Sequence, residues 1–139
     1  DESPGWNFAV NTAVPLALDF EGGIGSTVVD LSGFNLRDVN LNMGIGEMKI
    51  TLPEPETSYD VTINGGVGEI TVDVPNQVAV RLIGSTGVGA INLPANMQKI
   101  SGDDGFVGED GTWETSDFES AETRITIHFD GGVGAFNLR

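Results

Sequence analysis

The stretch YDVTINGGVGEITVDVP, from Tyr59 to Pro75, decides the fold. Before its glycines, Val61 and Ile63 alternate with Asp60, Thr62 and Asn64. After them, Ile70, Val72 and Val74 alternate with Glu69, Thr71 and Asp73. A period of two is the mark of a half-buried β-strand, because successive side chains leave opposite faces. Gly65, Gly66 and Gly68 between the arms suit a tight corner, where a chain without Cβ atoms turns freely. Pro75 closes the second arm, since proline has no N–H to give to a ladder.

The core of this unit recurs as Gly23-Ile24-Gly25, Gly44-Ile45-Gly46, Gly66-Val67-Gly68, Gly87-Val88-Gly89 and Gly132-Val133-Gly134. The first four copies lie 21, 22 and 21 residues apart, and the last follows after 45, as if one rung were replaced or expanded by an insertion. Two residues beyond each second glycine stand Thr27, Met48, Ile70, Ile91 and Phe136, and four beyond it Val29, Ile50, Val72, Leu93 and Leu138. A short fixed period with matching columns is the signature of a solenoid, whose repeats bury their apolar faces against one another. The sequence therefore predicts an all-β chain: a short β-solenoid, right-handed and β-helix-like, of five to six rungs with 21–22-residue repeats. Ile24, Ile45, Val67, Val88 and Val133 are expected to form one buried column. Ile50, Val72, Leu93 and Leu138 are expected to form another.

The remaining chain divides around these rungs as one domain over 1–139. Residues 1–21, with Trp6, Phe8, Val10, Leu16, Leu18 and Phe20 around Pro15, read as cap strands over the first rung. Residues 22–94 carry the regular rungs, 95–123 an acidic insertion, and 124–139 the final rung. The insertion holds Asp103, Asp104, Glu109, Asp110, Glu114, Asp117, Glu119 and Glu122, with Lys99 as its one base. It also holds Phe106, Trp113 and Phe118, and rings of that size seldom lie free in a loop. The expected role is a cap in which Trp113 and Phe118 cover neighbouring rungs. Apolar spacing of three and four is missing throughout, so at most a turn of helix is expected, near 96–99 or 120–122.

A charge of −15, from 21 acids against six bases, argues against a nucleic-acid partner, which needs phosphate neutralisation. It equally disfavours attraction to anionic lipid. The lack of cysteine removes disulfides, thiol chemistry and cysteine metal sites. No apolar run is long enough to insert in a membrane. The chain begins at Asp1 rather than Met and reads as a mature form or an excised domain.

Four constellations invite a chemical reading. Gly-Φ-Gly resembles a phosphate loop only where a helix follows, and here a strand follows each copy. His128 has no second histidine or cysteine to complete a metal site or a triad and sits on the outward phase of its strand. The acidic pairs Asp103-Asp104 and Glu109-Asp110 fall short of the six to eight oxygens that calcium takes, and they read as a solvated turn. Glu47 and Glu69 occupy equivalent outward positions on adjacent rungs, ~5 Å apart, as in retaining glycosidases. Lys49 nearby and the lack of an aromatic platform favour an ordinary polar face. No catalytic, cofactor-binding or metal residue is assigned, and no cofactor is expected.

The GGVGxΦxΦxΦP unit, the Leu31-Ser32-Gly33 turn, the Gly44-to-Glu47 step and the late Trp113…Phe118 segment leading into RITI and GGVG resemble the toast-rack domains of bacterial cell-envelope proteins. These include LiaF-type cell-wall stress response proteins and related adhesin-like proteins. The resemblance spans nearly the whole chain, and its glycine motifs specify architecture more than activity. It implies a non-enzymatic binding or scaffolding module of the envelope or exterior, tethered by a segment outside this sequence and meeting a protein partner or an envelope component. A sensory or regulatory domain of a cell-wall stress protein fits this. The alternatives are an adhesin-like module dependent on sugar or calcium and, by fold analogy alone, a polysaccharide-active enzyme.

Overall fold

A computed structural model describes residues 16–55, 57–75, 78–102 and 110–139. The calls on Trp6, Phe8, Val10, Phe106, Asp103, Asp104 and Glu109 lie outside the described residues. Every element within them is a strand, as the period-two pattern requires. Each rung is a first arm, a glycine corner and a second arm. The first is β1 (Leu16–Glu21) with β2 (Ile24–Asp30), the second β3 (Leu36–Asn42) with β4 (Ile45–Thr51), and the third β5 (Tyr59–Asn64) with β6 (Val67–Asp73). In β7 (Ala79–Asn92) and β10 (Arg124–Leu138) both arms run through the corner as one long strand. Between them lie β8 (Met97–Ser101) and β9 (Asp110–Thr115).

First arms stack on first arms and second arms on second arms, all parallel and in register, so Val61 lies beside Val39 and Ile127, and Val72 beside Ile50 and Leu138. This is the predicted β-solenoid, and Ile50, Val72 and Leu138 are buried, with Leu93 packed partly buried against the same core. Residues 16–21, assigned on sequence to a cap, form the first arm of rung one and pair with β3.

The order of the stack departs from the order of the chain. β10 pairs with β5 and β6 on one side and with β7 on the other, so the final rung is slotted between the third and fourth. The gap of 45 residues thus marks no missing rung among the described residues. Strands β7, β8 and β9 form the outer rung and its edge cover, and the chain then returns to fill the space beneath them. Parallel strands need a long crossover, and the inserted β8–β9 hairpin supplies it.

The hairpin also covers the free edge of β7. β9 pairs antiparallel with Arg81–Ser85 and sets Trp113 beside Leu82. Met97–Ser101, where a helical turn was conceivable, is instead the outer strand of the hairpin. Trp113 and Phe118 are both buried. Phe118 meets two guanidinium groups, with Arg81 4.4 Å and Arg124 5.2 Å from its ring centre. Arg81 is held in turn by Glu114, and Arg124 donates to the Ala121 carbonyl at 3.1 Å. The cap is therefore a latch that fastens the turn after β9 to the two long strands.

Candidate functional site

The column expected to be buried at the corner is exposed. Ile24 is 88%, Ile45 54%, Val67 49%, Val133 49% and Val88 51% accessible. Its five members are direct neighbours in that spatial order. At a strand spacing of ~4.8 Å they form an aliphatic ridge ~19 Å long down one edge of the stack. The reason lies in the phase of the second arm. Counting back in twos from the buried Val72 and Ile70 reaches Gly68 and Gly66, so Val67 points outward. Strand phase and hydrophobicity disagree at this position, and the phase decides.

Beyond the first rung, the glycines beside the ridge are fixed by stacking. A Cβ on Gly66 would meet the Gly44 carbonyl oxygen at 2.1 Å, so no side chain fits there. The rows on each side are consequently bare backbone, and the ridge stands clear of its surroundings. Beyond them run two polar rows. One is Ser26, Glu47, Glu69, Ala135 and Ala90, and the other Glu21, Asn42, Asn64, Asp130 and Ser85. Each row carries two carboxylates and no base.

Glu47 and Glu69 are register partners, as read from the repeat. The Lys49 ammonium faces Asp73 at 3.8 Å. Glu69 instead accepts from Asn137 Nδ2 at 2.8 Å, and Asn137 Oδ1 accepts from Asn92 Nδ2 at 2.8 Å. Glu69 thus ends an amide ladder across three rungs.

His128 lies on the outer face of the first arms, exposed, with Thr62 and Ile83 beside it. Ser85, His128, Asp130 and Asp110 share an open depression of about 480 Å³. His128 and Asp130 leave the same face of β10, but both they and Ser85 are solvent-exposed. Among the described residues no group of three or more His, Cys, Asp or Glu side chains is arranged to hold a metal ion.

Two groups have their acidity set by local contacts. The Ser32 hydroxyl and backbone N–H both donate to Asp30 Oδ1, at 2.6 and 3.0 Å, and hold its carboxyl below the usual range, the hydroxyl most. Burial drives the Tyr59 phenol strongly upward, while its hydroxyl donates to the Pro53 carbonyl at 2.6 Å. Both sit where arms meet their connecting loops, and both serve the turns.

The geometry has a counterpart among known proteins. The family model for the N-terminal domain of toast_rack, DUF2154, matches residues 1–73, the segment in which the rungs stack in chain order. A crystal structure described as "a putative cell adhesion protein" from Clostridium sporogenes superposes with a TM-score of 0.77 at 29% identity, covering 93% of this chain and 57% of that one. The chain thus spans little more than half the length of that structure. No curated protein sequence matches it.

Proposed function

The chain belongs to the toast-rack family, and from that membership we propose a non-enzymatic binding and scaffolding module that works at the bacterial cell envelope or outside it. The observation that carries this reading is the exposed corner ridge. A stiff stack of in-register strands presents it as one straight apolar edge, a feature suited to contact and foreign to turnover. The crystal structure described as a putative cell adhesion protein supports the same reading, and within it an adhesin-like role ranks beside a sensory or regulatory one in cell-wall stress. The acids of the polar rows are spread along the stack rather than gathered around one point, which speaks for a protein or envelope partner over a cation-dependent one.

The test is binding of the labelled chain to envelope preparations from bacteria. The reading expects saturable binding that survives a chelator and is lost when envelope proteins are digested. Absence of saturable binding overturns it. So does release of sugar from the envelope that stops on Glu47→Gln or Glu69→Gln, which would make the chain a hydrolase.

A further inference from the structure

We propose that the corner ridge is the docking surface for a basic amphipathic segment of another protein, apolar along its contact face and bordered by lysine or arginine. This rests on the reading of the chain as a binding module and adds the chemistry of its partner.

The first argument is the residue type. An exposed strand position is served as well by threonine, which is β-branched, as by valine or isoleucine. Yet each of the five corners carries Ile or Val at 49% exposure or more. Single exposed aliphatics are ordinary, whereas a continuous row of them marks a contact surface. The second is shape. Stacked glycine backbone lies on both sides, so the ridge is open to side chains that straddle it. The third is charge. Glu47 and Glu69 flank it on one side and Glu21 and Asp130 on the other, with no base in either row. A partner with basic borders satisfies both apolar and acidic features at once. A second copy of this chain would bring like rows together, and an anionic bilayer would be repelled in the same way. A ridge of ~19 Å alone falls short of a standard interface, so the flanking carboxylates must take part and binding must weaken with salt.

The experiment titrates the full chain, at physiological salt, with a helical peptide whose leucine stripe is bordered on both sides by lysine. Two relatives of the peptide carry alanine for leucine, or glutamate for lysine. The protein variant Ile45→Thr with Val67→Thr and Val133→Thr keeps β-branching at each site. A second variant is Glu47→Gln with Glu69→Gln. The leucine–lysine peptide should bind at least about tenfold tighter than the alanine–lysine peptide, and the threonine variant should erase that advantage. The glutamine variant should weaken binding, as should added salt. Equal binding by the threonine variant overturns the proposal, as does equal binding of the leucine–glutamate peptide. Ridge-dependent binding to phosphatidylglycerol vesicles also overturns it and assigns the ridge to membranes. Envelope binding that survives the threonine substitutions removes the ridge as the docking surface while leaving the module reading intact.

Discussion

Gly68 lies so close over Gly46 that a Cβ on it would stand 1.7 Å from the Gly46 carbonyl oxygen, and its φ is +134°. Two independent constraints therefore demand glycine there. Gly25 carries only one of them, a φ of +112° with nothing within 4 Å of its Cβ position, and Gly23 carries neither. A graded alanine series follows. Gly23→Ala should be neutral or slightly stabilising, by up to ~1 kcal/mol, because it only restricts the unfolded chain. Gly25→Ala should cost ~1–2 kcal/mol of backbone strain. Gly68→Ala should cost more than either and can prevent folding, since backbone must move. Denaturant unfolding of the three variants checks the order, and equal losses would contradict it.

Aliphatic residues in this chain divide into two energetic classes despite similar repeat positions. Ile127 is fully buried between Val61 and Leu82, so Ile127→Ala should destabilise by ~2–5 kcal/mol. Val67→Ala on the ridge should change stability by no more than ~0.5 kcal/mol. Thermal unfolding of both variants measures the contrast. A large loss at Val67 would place the ridge in the core after all.

Tyr59 is the chain's one tyrosine, so phenolate absorbance reports on it alone. Its folded-state pKa lies far above the usual value of about 10, through burial. A raised value means its contribution to stability is complete below that pH and is lost as pH rises toward the folded value. Phenolate should therefore appear together with alkaline unfolding rather than before it. Tyr59→Phe should cost ~1 kcal/mol at neutral pH, through the lost bond to Pro53, and should flatten the alkaline decline. Titration of Tyr59 at its ordinary value in the folded chain would contradict its burial.

The rung itself was legible from Tyr59 to Pro75, because period two and glycine spacing are local signals that parallel stacking only amplifies. The burial of Trp113 and Phe118 was legible from ring size in an otherwise polar insertion. What escaped was non-local. Nothing near Arg124 announces that β10 slides between β6 and β7, since every GGVG corner can stack on every other and the choice is made by the crossover. The exposure of Val67 was legible but masked, because hydrophobicity and strand phase disagree there and the phase wins. Lys49 similarly faces Asp73 rather than the glutamates, a matter of side-chain reach that spacing alone does not give.

The account stands on one ordered, exposed ladder in which Val133 separates Val67 from Val88. The chain has no native cysteine, so introduced pairs report without interference. Adjacent rungs lie ~4.8 Å apart, within the Cα range a disulfide spans, and alternate rungs at about twice that lie beyond it. Mild oxidation of three double variants, followed by a count of free thiols, is the direct measurement. Val67→Cys with Val133→Cys should close, as should Val88→Cys with Val133→Cys, while Val67→Cys with Val88→Cys should keep both thiols free. Closure of the Val67–Val88 pair, with the Val67–Val133 pair open, would mean that the rungs stack in chain order and that the ladder described here is wrong.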